Sequence, residues 1–225
     1  MFRNLIFGSL AALILVSSSV TATSAATIAS WTFETSVPMT AGPHAPEVGA
    51  GSATGVHSTG TTTHTSPSGN GSATSWNSNN WTVGDYYQFQ VSTLGQSGIT
   101  FAWDQTRSSS GPGFQNVTDP NFKLQYSTDG MNYVNHVNYV VPVVTWSSAS
   151  TNLATQFSQD LSAITALDNQ PTVYFRLTSI LPRQASSTNG TSRVDNVTVT
   201  SIPEPASVVL AIACLVMTAG VRRII

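Results

Sequence analysis

Tyr86-Tyr87-Gln88-Phe89-Gln90-Val91 and, after a short turn, Ile99-Thr100-Phe101-Ala102-Trp103-Asp104 read as two β-strands. Tyr87, Phe89 and Val91 fall on one face and Tyr86, Gln88 and Gln90 on the other, because successive side chains of an extended chain point to opposite sides. Ile99, Phe101 and Trp103 repeat the pattern, with Thr100, Ala102 and Asp104 opposite. Gly84-Asp85 predicts the turn before this pair, and Thr93 to Gly98 the turn within it. A period of two carried by aromatic and β-branched residues predicts sheet, and with it an all-β fold.

The same period recurs along the chain. Phe122, Leu124 and Tyr126 predict a strand with Lys123 and Gln125 on its other face. Asp129-Gly130 then predicts a hairpin turn, since both residues tolerate positive φ, and residues 131–144 return antiparallel. Val173, Phe175 and Leu177 oppose Tyr174, Arg176 and Thr178, and Ser192 to Thr200, with Val194, Val197 and Val199, closes the series. Thr27 to Glu34 predicts the first strand, with Ile28 set apart from Trp31 and Phe33. Only Asp160 to Asp168, with Leu161, Ile164 and Leu167 three apart, suggests one or two helical turns. Short strands joined by short turns predict an antiparallel, jelly-roll-like β-sandwich.

The sandwich is expected over residues 26–201, between two targeting segments. In residues 1–25, Arg3, an apolar run from Leu5 to Val16 and the small residues Ala22 to Ala26 predict a signal peptide, cleaved after Ala25 or Ala26. At the other end, residues 202–225 hold Pro203-Glu204-Pro205, an uncharged stretch over 206–221, and Arg222-Arg223. The prolines keep the chain extended around Glu204, the apolar stretch predicts a transmembrane helix of about 24 Å, and the arginines act as its stop-transfer signal. Of the eight Lys and Arg, Arg3, Arg222 and Arg223 lie in these ends; of the ten Asp and Glu, only Glu204 does. The central domain is therefore acidic, which disfavours nucleic acid as a partner. The single cysteine, Cys214, lies in the tail, so the domain has neither a disulfide nor a thiol nucleophile.

The order Pro203-Glu204-Pro205, apolar helix, arginine pair at the C-terminus resembles the PEP-CTERM sorting signal of exported bacterial proteins. That resemblance implies that a membrane-embedded exosortase removes the tail, after signal peptidase has removed the leader. The protein would cross the inner membrane, be anchored transiently, and reach the cell surface or extracellular matrix. Ile224-Ile225 after the arginines depart from the usual ending. The body resembles jelly-roll domains common in PEP-CTERM proteins and related to carbohydrate-binding sandwiches, through Trp31-Thr32-Phe33-Glu34, residues 124–130, Val173-Tyr174-Phe175-Arg176 and Arg193-Val194-Asp195-Asn196-Val197. It implies a fold more than a ligand; extracellular polysaccharide is the partner expected of a surface protein delivered this way.

No Gly-x-Ser-x-Gly elbow, His-Glu-x-x-His or phosphate-cradling glycine loop is present, and the expectation is a protein that is not an enzyme. The alternative is a secreted polysaccharide-acting hydrolase, for which Asp85, Asp104, Asp119 and Asp129 are the available carboxylates. No cofactor is expected beyond a structural Ca²⁺, for which Glu34 and Asp195 are hard oxygen ligands; otherwise either would pair with Arg193 or Arg176, or meet solvent. Residues 36–80 are rich in Gly, Ser and Thr and read as a long loop region, a surface excursion with short edge strands or a disordered stretch. His44, His57 and His64 fall there without tight metal-ligand spacing and read as solvated. Asn70, Asn80, Asn116, Asn189 and Asn196 begin Asn-x-Ser/Thr sequences and read as turn and strand residues. Tyr174, Arg176, Lys123 and Gln125 face outward and are the candidate ligand-binding residues, a ring with amide and cationic donors suited to a sugar.

The sorting signal makes a direct prediction. Glu204→Ala, or deletion of Pro203-Glu204-Pro205, is expected to leave the tail attached and the protein in the membrane fraction of its native host. Removal of the tail and delivery to the surface at the unmutated rate would show that the motif is not the signal.

Overall fold

The computed structural model describes residues 24–203, except 36, 115–117, 185 and 187. The signal peptide, Glu204, Pro205, the transmembrane segment and Arg222-Arg223 lie outside the described residues. Among the described residues, no helix is long and apolar enough to cross a membrane.

Twelve strands form two antiparallel sheets: β1 Ala26–Trp31, β2 Val48–Gly49, β3 Gly51–Val56, β4 His64–Thr65, β5 Trp76–Asn79, β6 Tyr86–Val91, β7 Gln96–Arg107, β8 Phe122–Ser127, β9 Val134–Tyr139, β10 Gln156–Asp160, β11 Val173–Ser179 and β12 Thr191–Pro203. One sheet runs β10-β7-β12-β1-β2, with β5 also on β12 and β4 on β5; the other runs β3-β6-β11-β8-β9. From β6 to β8 and again from β9 to β12, each strand crosses to the opposite sheet, so the two layers are laced together by the chain itself.

Alternation places the inward faces as the sequence predicts. Tyr87, Phe89, Phe101, Trp103, Phe122, Leu124, Phe175 and Leu177 are all buried. Rings from opposite sheets interlock: Phe101 stacks on Phe175 at 4.7 Å, and Trp31 meets Phe89 edge-on at 5.2 Å. Such pairs add about 0.5–1.5 kcal/mol each beyond the burial of their area.

Two strands break strict alternation, and each does so at a bulge. The register of β1 against β12 skips between Thr27 and Ala29, which sets Ile28 out of phase while Ala29, Trp31 and Phe33 enter the core. In β12 the register against β7 skips between Asp195 and Thr198, where Asn196 adopts φ 47°. Val194 and then Val197 and Val199 can therefore all face inward.

Several boundaries differ from expectation. The first strand ends at Trp31 rather than Glu34, because Phe33 has φ 58° and the Thr32 amide turns to Glu47 Oε2 at 2.9 Å. β7 begins at Gln96, inside the predicted turn. Asp160 to Asp168 holds only a 3₁₀ turn at Thr165–Leu167, preceded by the unpredicted edge strand β10. Leu161 and Leu167 are nevertheless buried, so their spacing reports burial rather than an α-helix. Residues 36–80 contain β2 to β5, and their described parts are an ordered excursion with short strands. β12 continues past Ser201 to Pro203, which pairs with Gln96.

Phe101→Ala is expected to lower the unfolding free energy by about 3–5 kcal/mol, because it empties a fully enclosed site between the sheets. Urea denaturation checks this; a loss below about 1 kcal/mol would mean that the two sheets do not rely on this stack.

Candidate functional site

The outward face of the five-stranded sheet gathers the residues predicted for ligand contact. β8 and β11 are neighbours, with Arg176 opposite Gln125 and Thr178 opposite Lys123. On its other side β11 pairs with β6, which puts Arg176 opposite Gln88 and Thr178 opposite Tyr86. The Arg176 guanidinium lies between two rings, 3.9 Å from the centroid of Tyr86 and 3.4 Å from that of Tyr133. Its Nε donates to Gln88 Oε1 at 2.8 Å, and the Tyr133 hydroxyl donates to the same oxygen at 2.8 Å. Each ring contact is worth roughly 0.5–2 kcal/mol, and together they hold a long cationic side chain in one pose. Burial pushes the Tyr133 phenol up despite the neighbouring Arg176 charge.

Tyr174 lies beside this cluster, over the Asp129-Gly130 turn. A Cβ at Gly130 would sit 3.1 Å from the Tyr174 ring, so glycine here allows both the φ of 73° and the approach of the ring. Asp129 shapes the turn: its carboxylate accepts from the Met131 and Asn132 amides at 2.8 Å each. Those bonds, led by the Asn132 amide, hold its pKa far below the usual carboxylate range. Gln125 Oε1 accepts from Thr178 Oγ1 at 2.9 Å. The structure thus brings all four predicted residues to one face and adds Tyr86, Gln88 and Tyr133. The outward positions of Tyr86 and Gln88 were visible in the alternation; that they adjoin Arg176 was not.

The calcium candidates meet one loop. Glu34 accepts from the amides of Ala73 and Thr74, at 3.2 and 2.8 Å. Asp195 accepts from the Asn70 amide at 2.8 Å, Ser72 Oγ at 2.6 Å and the Asn196 amide at 2.8 Å. Neither carboxylate takes the arginine partner considered for it: Arg193 donates to the Ser68 carbonyl at 3.3 Å and lies 5.9 Å from the Trp146 ring. Asp195 is opposite Asp104 in the β12–β7 register, and Asn70 and Asn196 each donate to Asp104 Oδ2 at 2.9 Å. Burial pushes Asp195 up to about 6, with the Asp104 charge adding to it, and burial also raises Asp104. Two carboxylates enclosed this way, with N–H and O–H donors on their oxygens, are held as acceptors within the fold. Among the described residues, no group of three or more His, Cys, Asp or Glu side chains is placed to hold a metal ion.

The histidines of residues 36–80 are not solvated loop residues; His44 and His64 pack on Trp76, and His57 packs on Trp81. His44 is buried, its ring 4.9 Å from Trp76, and it donates from Nε2 to the Thr40 carbonyl at 3.0 Å. His64 stacks on Trp76 at 5.9 Å and lies 5.8 Å from His57. The reason is topological: β3, β4 and β5 fold this segment over the core, and its rings bury with the Trp76 indole.

His57 forms a chain that sequence spacing does not reveal, Asp85–His57–Ser78–Tyr87. Tyr87 donates to the Ser192 carbonyl at 2.8 Å, and since a carbonyl only accepts, the phenol proton is committed there. Ser78 Oγ, 2.7 Å from the Tyr87 oxygen, therefore donates to it and must accept from His57 Nε2 at 3.1 Å. Nδ1 of the same ring donates to Asp85 Oδ2 at 3.2 Å. His57 and Asp85 form an enclosed pair, an ion pair when the imidazole is protonated. Burial alone would raise the Asp85 pKa, but bonds from His57, Ser58 and Thr82 outweigh it and hold the carboxyl below its usual value. A nucleophilic serine must give its proton to the histidine. Here the bond runs the other way and Ser78 is fully buried, so this arrangement braces the fold rather than activating a hydroxyl.

No protein-family model matches the chain, and no curated protein matches it. Among solved structures it is similar to the CBM22-1 xylan-binding domain of Paenibacillus barcinonensis Xyn10C, at 12% identity over 82% of this chain and 99% of that one, TM-score 0.46. It is also similar to the K2 cleaved adhesin domain of Lys-gingipain, at 13% identity over 76% and 96%, TM-score 0.42. The enzymatically active domain of bacteriophage CBA120 tailspike protein 4 matches at 14% identity over 68% of this chain and 19% of that one, TM-score 0.33. Likenesses this distant carry no argument about ligand or activity.

The enclosed carboxylates set the pH dependence of stability. Folded Asp195 releases its proton near pH 6 against 3.8 for the free group, so between these values the folded state holds the extra proton and stability falls as pH rises. His64, whose pKa burial and the neighbouring His57 and His44 lower from 6.5 to about 4, acts oppositely: the unfolded state holds the extra proton, and stability falls as pH drops through that window. Asp195→Asn removes only the first effect. Relative to the unmutated protein, it should gain roughly 3 kcal/mol between pH 4 and pH 7 in urea titrations. A difference independent of pH would show that Asp195 does not carry the raised pKa.

Proposed function

We propose that the chain is an exported bacterial cell-surface or extracellular-matrix protein, processed by an exosortase, whose β-sandwich is a non-catalytic polysaccharide-associated binding or structural domain. The observation that carries the ligand part is the clamp of Arg176 between Tyr86 and Tyr133 on an outward sheet face, with Tyr174, Gln88, Gln125 and Lys123 around it. Flat rings and fixed cationic and amide donors match the apolar faces and hydroxyls of a sugar chain. The strand order supports a jelly-roll reading: β1-β12-β7-β10 in one sheet faces β6-β11-β8-β9 in the other.

The non-catalytic reading is supported by the state of the carboxylates. Asp85 is committed to His57, Asp104 and Asp195 are enclosed by Asn70 and Asn196, and Asp129 closes its own turn. The sorting reading rests on the terminal motif; β12 runs to Pro203, so that motif would begin where the sheet ends.

Affinity electrophoresis against neutral and acidic polysaccharides tests the binding face. Arg176→Ala and Tyr174→Ala, with melting transitions that confirm folding, are each expected to weaken retention about tenfold, the loss of one charge-assisted bond or one stacked ring. Retention equal to that of the unmutated protein would remove this face as the site, and release of reducing ends in the same samples would favour a hydrolase.

A further inference from the structure

A second surface feature lies where the 36–80 excursion folds over the core, and its Val56 is opposite Tyr86 in the β3–β6 register. Residues around Met39, Val56, His57, Thr59, Thr62 and His64 line an open cleft of about 640 Å³. That is within the roughly 300–1,000 Å³ of small-molecule sites. Met39 and Val56 are 58% and 41% exposed and supply an apolar rim.

His64 gives the cleft a defined donor. The single Trp76 N–H is shared between the Thr40 carbonyl at 3.1 Å and His64 Nδ1 at 3.2 Å, and because an indole nitrogen only donates, the Nδ1 facing it carries no proton. The neutral ring therefore carries its proton on Nε2, which has no hydrogen-bond partner among the described residues. Burial and the charges of His57 and His44 keep the ring neutral to about pH 4. His57, the other ring in the lining, directs its two ring nitrogens away to Asp85 and Ser78. No Asp, Glu, Lys or Arg lines the cleft. Gly55 is required beneath this site: a Cβ there would meet His64 Cε1 and Trp76 Cζ2 at 3.1 Å each.

We infer that this cleft is a binding site for a neutral, hydroxyl-rich ring, a single sugar unit, whose hydroxyl accepts from His64 Nε2–H while its apolar face rests on Met39 and Val56. Threonine hydroxyls of the lining complete a surface of donors and acceptors without formal charge, which selects against phosphorylated or carboxylated ligands. This inference rests on the polysaccharide-binding reading and adds a second contact region beside the Tyr86 edge of the sheet face.

The test uses the purified full chain and neutral monosaccharides as probes: glucose, galactose, mannose, xylose and N-acetylglucosamine. Side-chain ¹H–¹⁵N spectra are recorded during titration, with glucose 6-phosphate and glucuronate as charged controls. At least one neutral sugar is expected to shift the His64 Nε2 resonance saturably, and the charged controls to leave it unmoved. His64→Phe keeps a ring on Trp76 but removes the donor, and should weaken binding by about tenfold. Met39→Trp, at an exposed position that does not test the core, should block the cleft to a similar extent. No saturable shift with any neutral sugar, or equal binding by folded Met39→Trp, would overturn the inference. Loss of binding in Arg176→Ala would instead assign the sugar to the sheet face.

Discussion

At Asn196 the backbone of β12 turns to φ 47°, and the register of β12 against β7 skips between Asp195 and Thr198. Much of the sandwich depends on this one bulge. Without it, alternation would put Val194 on the face opposite Val197 and Val199, and half of the central strand would present its apolar side chains to the wrong layer. With it, all three are buried, and the Asn196 side chain is aimed at Asp104 on the neighbouring strand. β12 then pairs along one edge with β7 and along the other with β1 and β5 in succession. A residue that tolerates positive φ and carries an amide is well matched to both tasks.

The described domain contains no cysteine, and aromatic rings supply much of what a disulfide would otherwise secure. Trp31, Phe89, Phe101 and Phe175 link the sheets through the middle, while Trp76, Trp81 and Tyr87 extend the contact toward the end covered by the 36–80 excursion. Each indole N–H that enters this core finds an oxygen acceptor: Trp31 at His44, Trp76 at Thr40 and Trp81 at Ser78. Buried polar atoms left without such partners would cost about 1–3 kcal/mol each.

The polar network commits several carboxylates and a histidine to partners within the fold. Asp85, Asp104, Asp195 and His57 are all enclosed, and their protons and lone pairs are directed at neighbours within the fold. The groups left for solvent are of a different kind: the outer sheet face with its clamped guanidinium, and the cleft at His64. Rigid rings beside fixed donors lose little conformational freedom when a ligand arrives, which suits recognition better than reaction.

Local rules made much of the fold legible in the sequence. The faces of β6, β7, β8 and β11 follow from a period of two, and the Asp129-Gly130 turn follows from which residues accept positive φ. The outward positions of Lys123, Gln125, Tyr174 and Arg176 follow from the same period. Even the phase errors, at Ile28 and between Val194 and Val197, were present as irregular spacing, although only the register showed them to be bulges. Tertiary structure alone decided that β11 lies between β6 and β8, that Tyr86 and Tyr133 enclose Arg176, and that loosely spaced histidines gather on two indoles, His44 and His64 on Trp76 and His57 on Trp81. Alternation is a property of each residue and its neighbours along the chain. Adjacency between strands is chosen by hydrogen bonds and ring packing among residues far apart in sequence, for which no single stretch carries the information.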